Sequence, residues 1–350
     1  MIRNVVYGVL RKVAMSSTNQ IGIIPNMKLS LRSVTLWHPL AAAFAGIALF
    51  ATPAKAQIIS TFTNSGGGAY TTASNWSPTG VPNLTAAGGN TALINNGSAV
   101  TYTPGGDFLI SNGGTLEVSN GSWTQVASNN WIQLQGNGNI LVNGGTFNQG
   151  TAGNTPFNIS NTGNTFKITS GAANFTSGLQ GSDTGSGMSW NFAGGTTTFG
   201  SEINYTQANN ILIDGGTVIT TLFTAINNSN NGTFTLSSGE LITTTNNGNS
   251  GGFYSAAPSA APNFTLGSTA SIDFEMGTVA QITGYVMAGD FDYNGSTGSL
   301  LNFNVTSDGS GGALLTVVEA VPEPYSCFLS GVCLFALVVM LRRRVVGATL

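Results

Sequence analysis

The sequence predicts an all-β chain, a parallel β-solenoid with irregular caps, followed by one C-terminal transmembrane helix. Three observations carry this. Turn glycines recur with a period of about 24 residues, two apolar columns precede each of them, and the repetitive region is almost free of charge.

Aligning on Gly97, Gly121, Gly145, Gly171, Gly195, Gly216 and Gly239 gives a nearly constant spacing, longest from Gly145 to Gly171 and shortest from Gly195 to Gly216. Three positions before each glycine stand Ile94, Val118, Val142, Ile168, Phe192, Ile213 and Leu236, and five before stand Ala92, Leu116, Ile140, Phe166, Trp190, Ile211 and Phe234. The two-residue offset puts both columns on one face of a strand. The residue just before each glycine is Asn, Ser or Gly, which is turn chemistry. One such unit is too thin to bury its own apolar face, so successive units must stack at about 4.8 Å. Stacked Asn, Ser and Thr satisfy one another, whereas stacked like charges repel at every level. An antiparallel sandwich of hairpins also suits the strand spacing, but it does not require the same column identities in successive units. The Gly-, Asn- and Thr-rich repeats are similar to those of bacterial autotransporter passenger regions.

These signals divide the chain into residues 1–56 as a signal region, 57–89 as an N-terminal cap, 90–269 as solenoid repeats, 270–319 as a C-terminal β cap and 320–350 as a tail. The N-terminal cap is read from Trp76, Pro78 and Pro82, which break the register. The C-terminal cap is read from "ASIDFEMGTV" and "LLNFNVTS" as alternating strands.

From Met27, Lys28 and Arg32 precede an apolar run from Leu36 to Phe50, and Ala54-Lys55-Ala56 is an A-x-A cleavage signature. This predicts a secretory signal peptide starting at Met27 and cleaved after Ala56. At the other end, Tyr325 to Leu341 is an unbroken run without a charge, followed by Arg342, Arg343 and Arg344. A helix over 325–341 at the lower limit for spanning follows, with the arginines as a membrane stop on the cytoplasmic side.

Val321-Pro322-Glu323-Pro324, the apolar span and the terminal arginines together resemble the PEP-CTERM sorting signal of exported bacterial proteins. The resemblance covers the tail alone and implies recognition of Pro322, Glu323 and Pro324 by an exosortase, a membrane protease that processes the tail nearby. A further segment, "VVGATL", follows the arginines here, where such tails often end sooner.

The charge inventory excludes several function classes. Only 7% of residues are charged against 41% apolar, and Lys167 is the only basic residue between Lys55 and Arg342. Nucleic acid therefore finds no cluster of cations to neutralise its phosphates. Both cysteines, Cys327 and Cys333, lie in the tail, and the single His, His38, lies in the signal region. The body thus lacks disulfides, thiolate metal sites and the imidazole that Ser-His-Asp or Cys-His catalysis needs. No catalytic residue and no cofactor is expected.

Asp273 with Glu275, and Asp290 with Asp292, are carboxylate pairs two apart, read as exposed strand faces rather than as a glycosidase pair. "DFDYNGS" matches the first half of a calcium loop through Asp290, Asp292 and Asn294, but the twelfth position is Leu301. The same letters suit a hairpin turning at Asn294-Gly295. The expectation is an exported, non-catalytic surface or matrix protein of the biofilm type. It would be held transiently in the inner membrane, with the secretion machinery and an exosortase as partners and extracellular polysaccharide as a further one. The alternative is a polysaccharide-binding or polysaccharide-degrading protein on the same scaffold, with Trp123 and Trp131 in a groove.

Overall fold

The computed structural model describes residues 56–318, apart from 104, 127–128, 151–156, 161, 181–187, 205–209, 226–232, 246–251, 256–263, 294–295 and 298–299. The predicted signal region, sorting motif, helix over 325–341 and terminal arginines lie outside the described residues, Ala56 excepted. Among the described residues no helix is long and apolar enough to cross a membrane.

The body is a parallel β-solenoid. Its first face stacks Thr91–Ile94, Thr115–Val118 and the opening halves of Asn139–Gln149 and Thr165–Phe175, then Ser189–Phe192, and the openings of Asn210–Thr220, Thr233–Thr243 and Phe264–Phe274. Register follows the two columns read from the sequence. Ile94 pairs with Val118, Val118 with Val142, Val142 with Ile168, Ile168 with Phe192, Phe192 with Ile213 and Ile213 with Leu236, each buried. The column then runs one level further, to Leu266.

After the glycine corner the chain forms a second face, with Val100, Trp123, Phe147, Ala173, Thr197, Val218, Leu241 and Ile272 stacked inward. Aromatic rings stack along the axis, Trp123 on Phe147 at 5.0 Å and Phe175 on Phe199 at 4.9 Å. The corner is tight. A Cβ on Gly171 would lie 2.1 Å from the Gly145 carbonyl oxygen, and Gly171 has φ +87°. Only glycine satisfies both conditions there.

The third face comes as two separate sheets, Phe108–Ser111, Ile132–Gln135 and Phe157–Ser160, then Leu179–Gln180, Ile203–Asn204, Phe223–Ala225 and Phe253–Ser255. The reason lies in the connections. In the early turns the long link precedes this strand, as from Gln125 to Ile132, and the short one follows it, as from Gln135 to Asn139. In the next turns the order reverses, with Phe199 to Ile203 short and Asn204 to Asn210 longer, and around Phe253–Ser255 both links are long. The third strand therefore shifts along the turn between Ser160 and Leu179, while the other two faces hold register.

At the N-terminal end, Ile59–Phe62 adds a level to the first face by pairing with Thr91–Leu93, and Gly68–Ala69 adds one to the second. The chain then returns antiparallel at Trp76–Ser77 against Phe62 and Thr61. Trp76 fills the core end against Phe62 and Tyr70, and its indole N–H donates to the Tyr70 carbonyl at 2.8 Å.

At the C-terminal end the last solenoid strand continues to Phe274, and a helix α1 follows at Val279–Ala288. The sequence reading gives strand through this helix, but its punctuation is present. Thr278 and Gln281 form a capping box, and Gly289 ends the helix in the left-handed region. Ile282 and Val286 plug the core. Ala313–Val317 then pairs antiparallel with Ser271–Phe274, and Phe303–Ser307 pairs antiparallel with Ala313–Val317, closing the open sheet edge.

Candidate functional site

The outward positions of the strands carry the surface chemistry. On the second face Thr101, Thr124, Asn148, Asn174, Thr198, Ile219, Ile242 and Asp273 form one outward column. Within it Asn174 Nδ2 donates to Asn148 Oδ1 at 2.8 Å, and Asn148 Nδ2 donates to Thr124 Oγ1 at 3.0 Å. At the corner between the first two faces Thr169 Oγ1 donates to Asn143 Oδ1 at 2.7 Å, and Ser237 Oγ to Asp214 Oδ1 at 2.8 Å. On the first face the outward column is Leu93, Glu117, Leu141, Lys167, Asn191, Leu212, Thr235, Thr265 and Asp292. Lys167 is half-buried between the levels of Leu141 and Asn191, as expected of a solvated strand residue.

A pocket of about 380 Å³ opens where this column meets the C-terminal cap. It is lined by Thr235, Ser237, Thr265, Ser268, Asp292 and Tyr293, with Leu266 and Gly267 between them. Thr235, Thr265 and Asp292 occupy successive levels, Thr235 paired with Thr265 and Thr265 with Asp292. Asp292 Oδ1 is closed to solvent and has no hydrogen-bond partner among the described residues. Ser237 is fixed by hydrogen bonds to Ile213 O and Asp214 Oδ1.

A second carboxylate group lies around the last strand of the second face. The Asp273 carboxyl is pushed above the ordinary carboxylate range by burial first, then by the charges of Asp308, Glu240 and Glu275. Asp308 is held below that range by the Ser310 hydroxyl and by backbone N–H groups of the hairpin loop. Tyr70 is a buried phenol in the N-terminal cap whose hydroxyl has no partner among the described residues, and burial pushes its ionisation up.

The structure separates several of the sequence candidates. Trp123 is fully buried within the solenoid and stacks on Phe147, so it cannot line a surface groove; at an inward strand position an indole is core. Trp131 is half-buried at the start of a third-face strand, where its backbone N–H donates to Asp107 Oδ1 at 2.8 Å. Asp273 and Glu275 stand at the end of the second face, where Glu275 is exposed and Asp273 half-buried.

Asp292 and Tyr293 pair antiparallel with Thr297 and Ser296. Asn294 lies outside the described residues. Among the described residues no group of three or more His, Cys, Asp or Glu side chains is placed to hold a metal ion. The pocket's hydroxyl residues were not singled out in the sequence. Their signal is the column four before each turn glycine, which runs through Leu, Glu, Lys and Asn and reaches its first hydroxyl residue at Thr235, before Gly239.

Comparison with protein-family models, with curated proteins and with solved structures gives no match.

Proposed function

We propose that the chain is an exported bacterial cell-surface or extracellular-matrix protein, delivered by the secretion machinery and processed by an exosortase through its C-terminal tail. In this reading the body is non-catalytic. The observation that carries the body's role is the solenoid's outward surface, whose ladders of Thr, Asn and Ser, such as Thr124, Asn148 and Asn174, are nearly uncharged. Such ladders offer donors and acceptors to the hydroxyls of an extracellular polysaccharide without repelling or condensing ions. Pro322, Glu323 and Pro324 would direct processing, Arg342, Arg343 and Arg344 would hold the tail until then, and Ala54 and Ala56 would mark removal of the leader.

Replacing Pro322, Glu323 and Pro324 together by alanine in the native host tests the sorting half. The expected result is a protein that stays in the membrane fraction, while the parent chain leaves it. Equal release of both would refute the role of the motif. An alternative body function, polymer binding or degradation, draws support from the pocket at Asp292, since a concavity lined by several hydroxyl residues and a carboxylate is more than a spacer needs.

A further inference from the structure

The pocket at the junction of the first face and the C-terminal cap points to a binding site that the sorting reading does not require. We infer that it takes one hexopyranosyl residue of a neutral polysaccharide, with the Asp292 carboxylate accepting a hydrogen bond from a sugar hydroxyl. For its ligand class the inference rests on the reading of the body as a polysaccharide-contacting surface; it is independent of how the tail is sorted.

Five features select this ligand. The volume of about 380 Å³ lies in the range of small-ligand sites, roughly 300–1,000 Å³. The lining is rich in hydroxyls, from Thr235, Ser237, Thr265, Ser268 and Tyr293, and each hydroxyl both donates and accepts, as sugar hydroxyls do.

The Asp292 carboxylate belongs to the lining, and its Oδ1, closed to solvent, meets no donor among the described residues, so turning the carboxyl toward a ligand hydroxyl would satisfy an oxygen that is otherwise unpaired. Among the described residues no basic side chain lines the pocket, which disfavours phosphate, sulfate or uronate. Finally, Asp292 is the only carboxylate among the described lining residues, whereas a calcium ion takes six to eight oxygens and favours several anionic ones.

The pocket is also preorganised. Thr235, Thr265 and Asp292 are fixed by the parallel register of three successive levels, and Gly267 lies so close to the strand below that a Cβ there would sit 2.0 Å from Ser237 O. The solenoid thus sets the spacing of the polar groups at about 4.8 Å, and binding need not order them. The earlier levels of the same column carry Leu212, Asn191 and Lys167, so the hydroxyl-carboxylate combination occurs at the cap end of this column alone.

The test is saturation-transfer NMR on the full-length chain in detergent micelles, with methyl α-glucoside, methyl α-galactoside and methyl α-mannoside as probes and calcium chloride as a separate titrant. Transfer to at least one glycoside is expected, weakened at least about tenfold in Asp292→Asn, as loss of a charged hydrogen-bond acceptor predicts. Glu117→Gln, in the same column but far from the pocket, should bind as the parent does. Thermal melting of each variant shows that the fold is retained. Transfer to none of the three glycosides overturns both the pocket and the reading of the surface. Transfer unchanged in Asp292→Asn overturns the pocket alone and places the sugar on the ladders. A calcium-dependent shift in the parent melting midpoint, absent in Asp292→Asn, would overturn the ligand class.

Discussion

Asp273 shows how a nearly uncharged protein treats the acids it keeps. Its Oδ1 is buried without a partner among the described residues, and burial together with Asp308, Glu240 and Glu275 raises its ionisation. The folded state therefore holds a proton that the unfolded chain releases. Stability contributed here is lost as pH climbs from the ordinary value of 3.8 through the raised folded value, and it stays lost above. Asp273→Asn should melt at a higher temperature than the parent at neutral pH, with the difference shrinking as pH falls through the raised folded value toward 3.8 and constant below it. Melting curves across pH check this, and a gain that is the same at every pH or largest in acid would contradict it. The acid cluster is invisible in sequence because Glu240, Asp273 and Asp308 come together only through the register of Thr233–Thr243, Phe264–Phe274 and Ala313–Val317.

At the scale of elements, the glycine corners decide whether the levels can stack. A Cβ at Gly171 meets a backbone oxygen at 2.1 Å and needs a left-handed φ, whereas Gly284, inside helix α1, has nothing within 4 Å. Gly171→Ala should thus cost about 2 kcal/mol or more, and Gly284→Ala should gain up to about 1 kcal/mol. Denaturant unfolding of the two variants separates them, and similar effects would contradict the stacked corner. The first face was legible because its inward columns, such as Ile94 to Leu236, are apolar at every level. The third face was not, because the long link changes corners between Ser160 and Leu179 and breaks any fixed offset from the turn glycine. Helix α1 was hidden by its β-rich context, although Thr278, Gln281 and Gly289 marked both of its ends. Likewise the pocket needed structure, since Thr235, Thr265 and Asp292 are neighbours in space but stand on three different strands, each a full turn of the solenoid or more from the next along the chain.

Taken whole, the solenoid is closed at both ends by antiparallel strands and plugged by Trp76 at one end and by Ile282 and Val286 at the other. Closed ends keep the parallel edges from templating further chains, which is compatible with the proposed export. The body is thus equipped to act as a discrete unit once it is separated from its flanking segments. The proposed role makes those segments an address at each end, with the leader removed after Ala56 and the tail processed near Pro322-Glu323-Pro324. Intact-mass spectrometry of the mature protein, from cells with and without the sorting enzyme, tests that claim most directly. The account predicts a product that lacks Arg342 to Leu350 only when the enzyme is present; a tail that persists in both would contradict it.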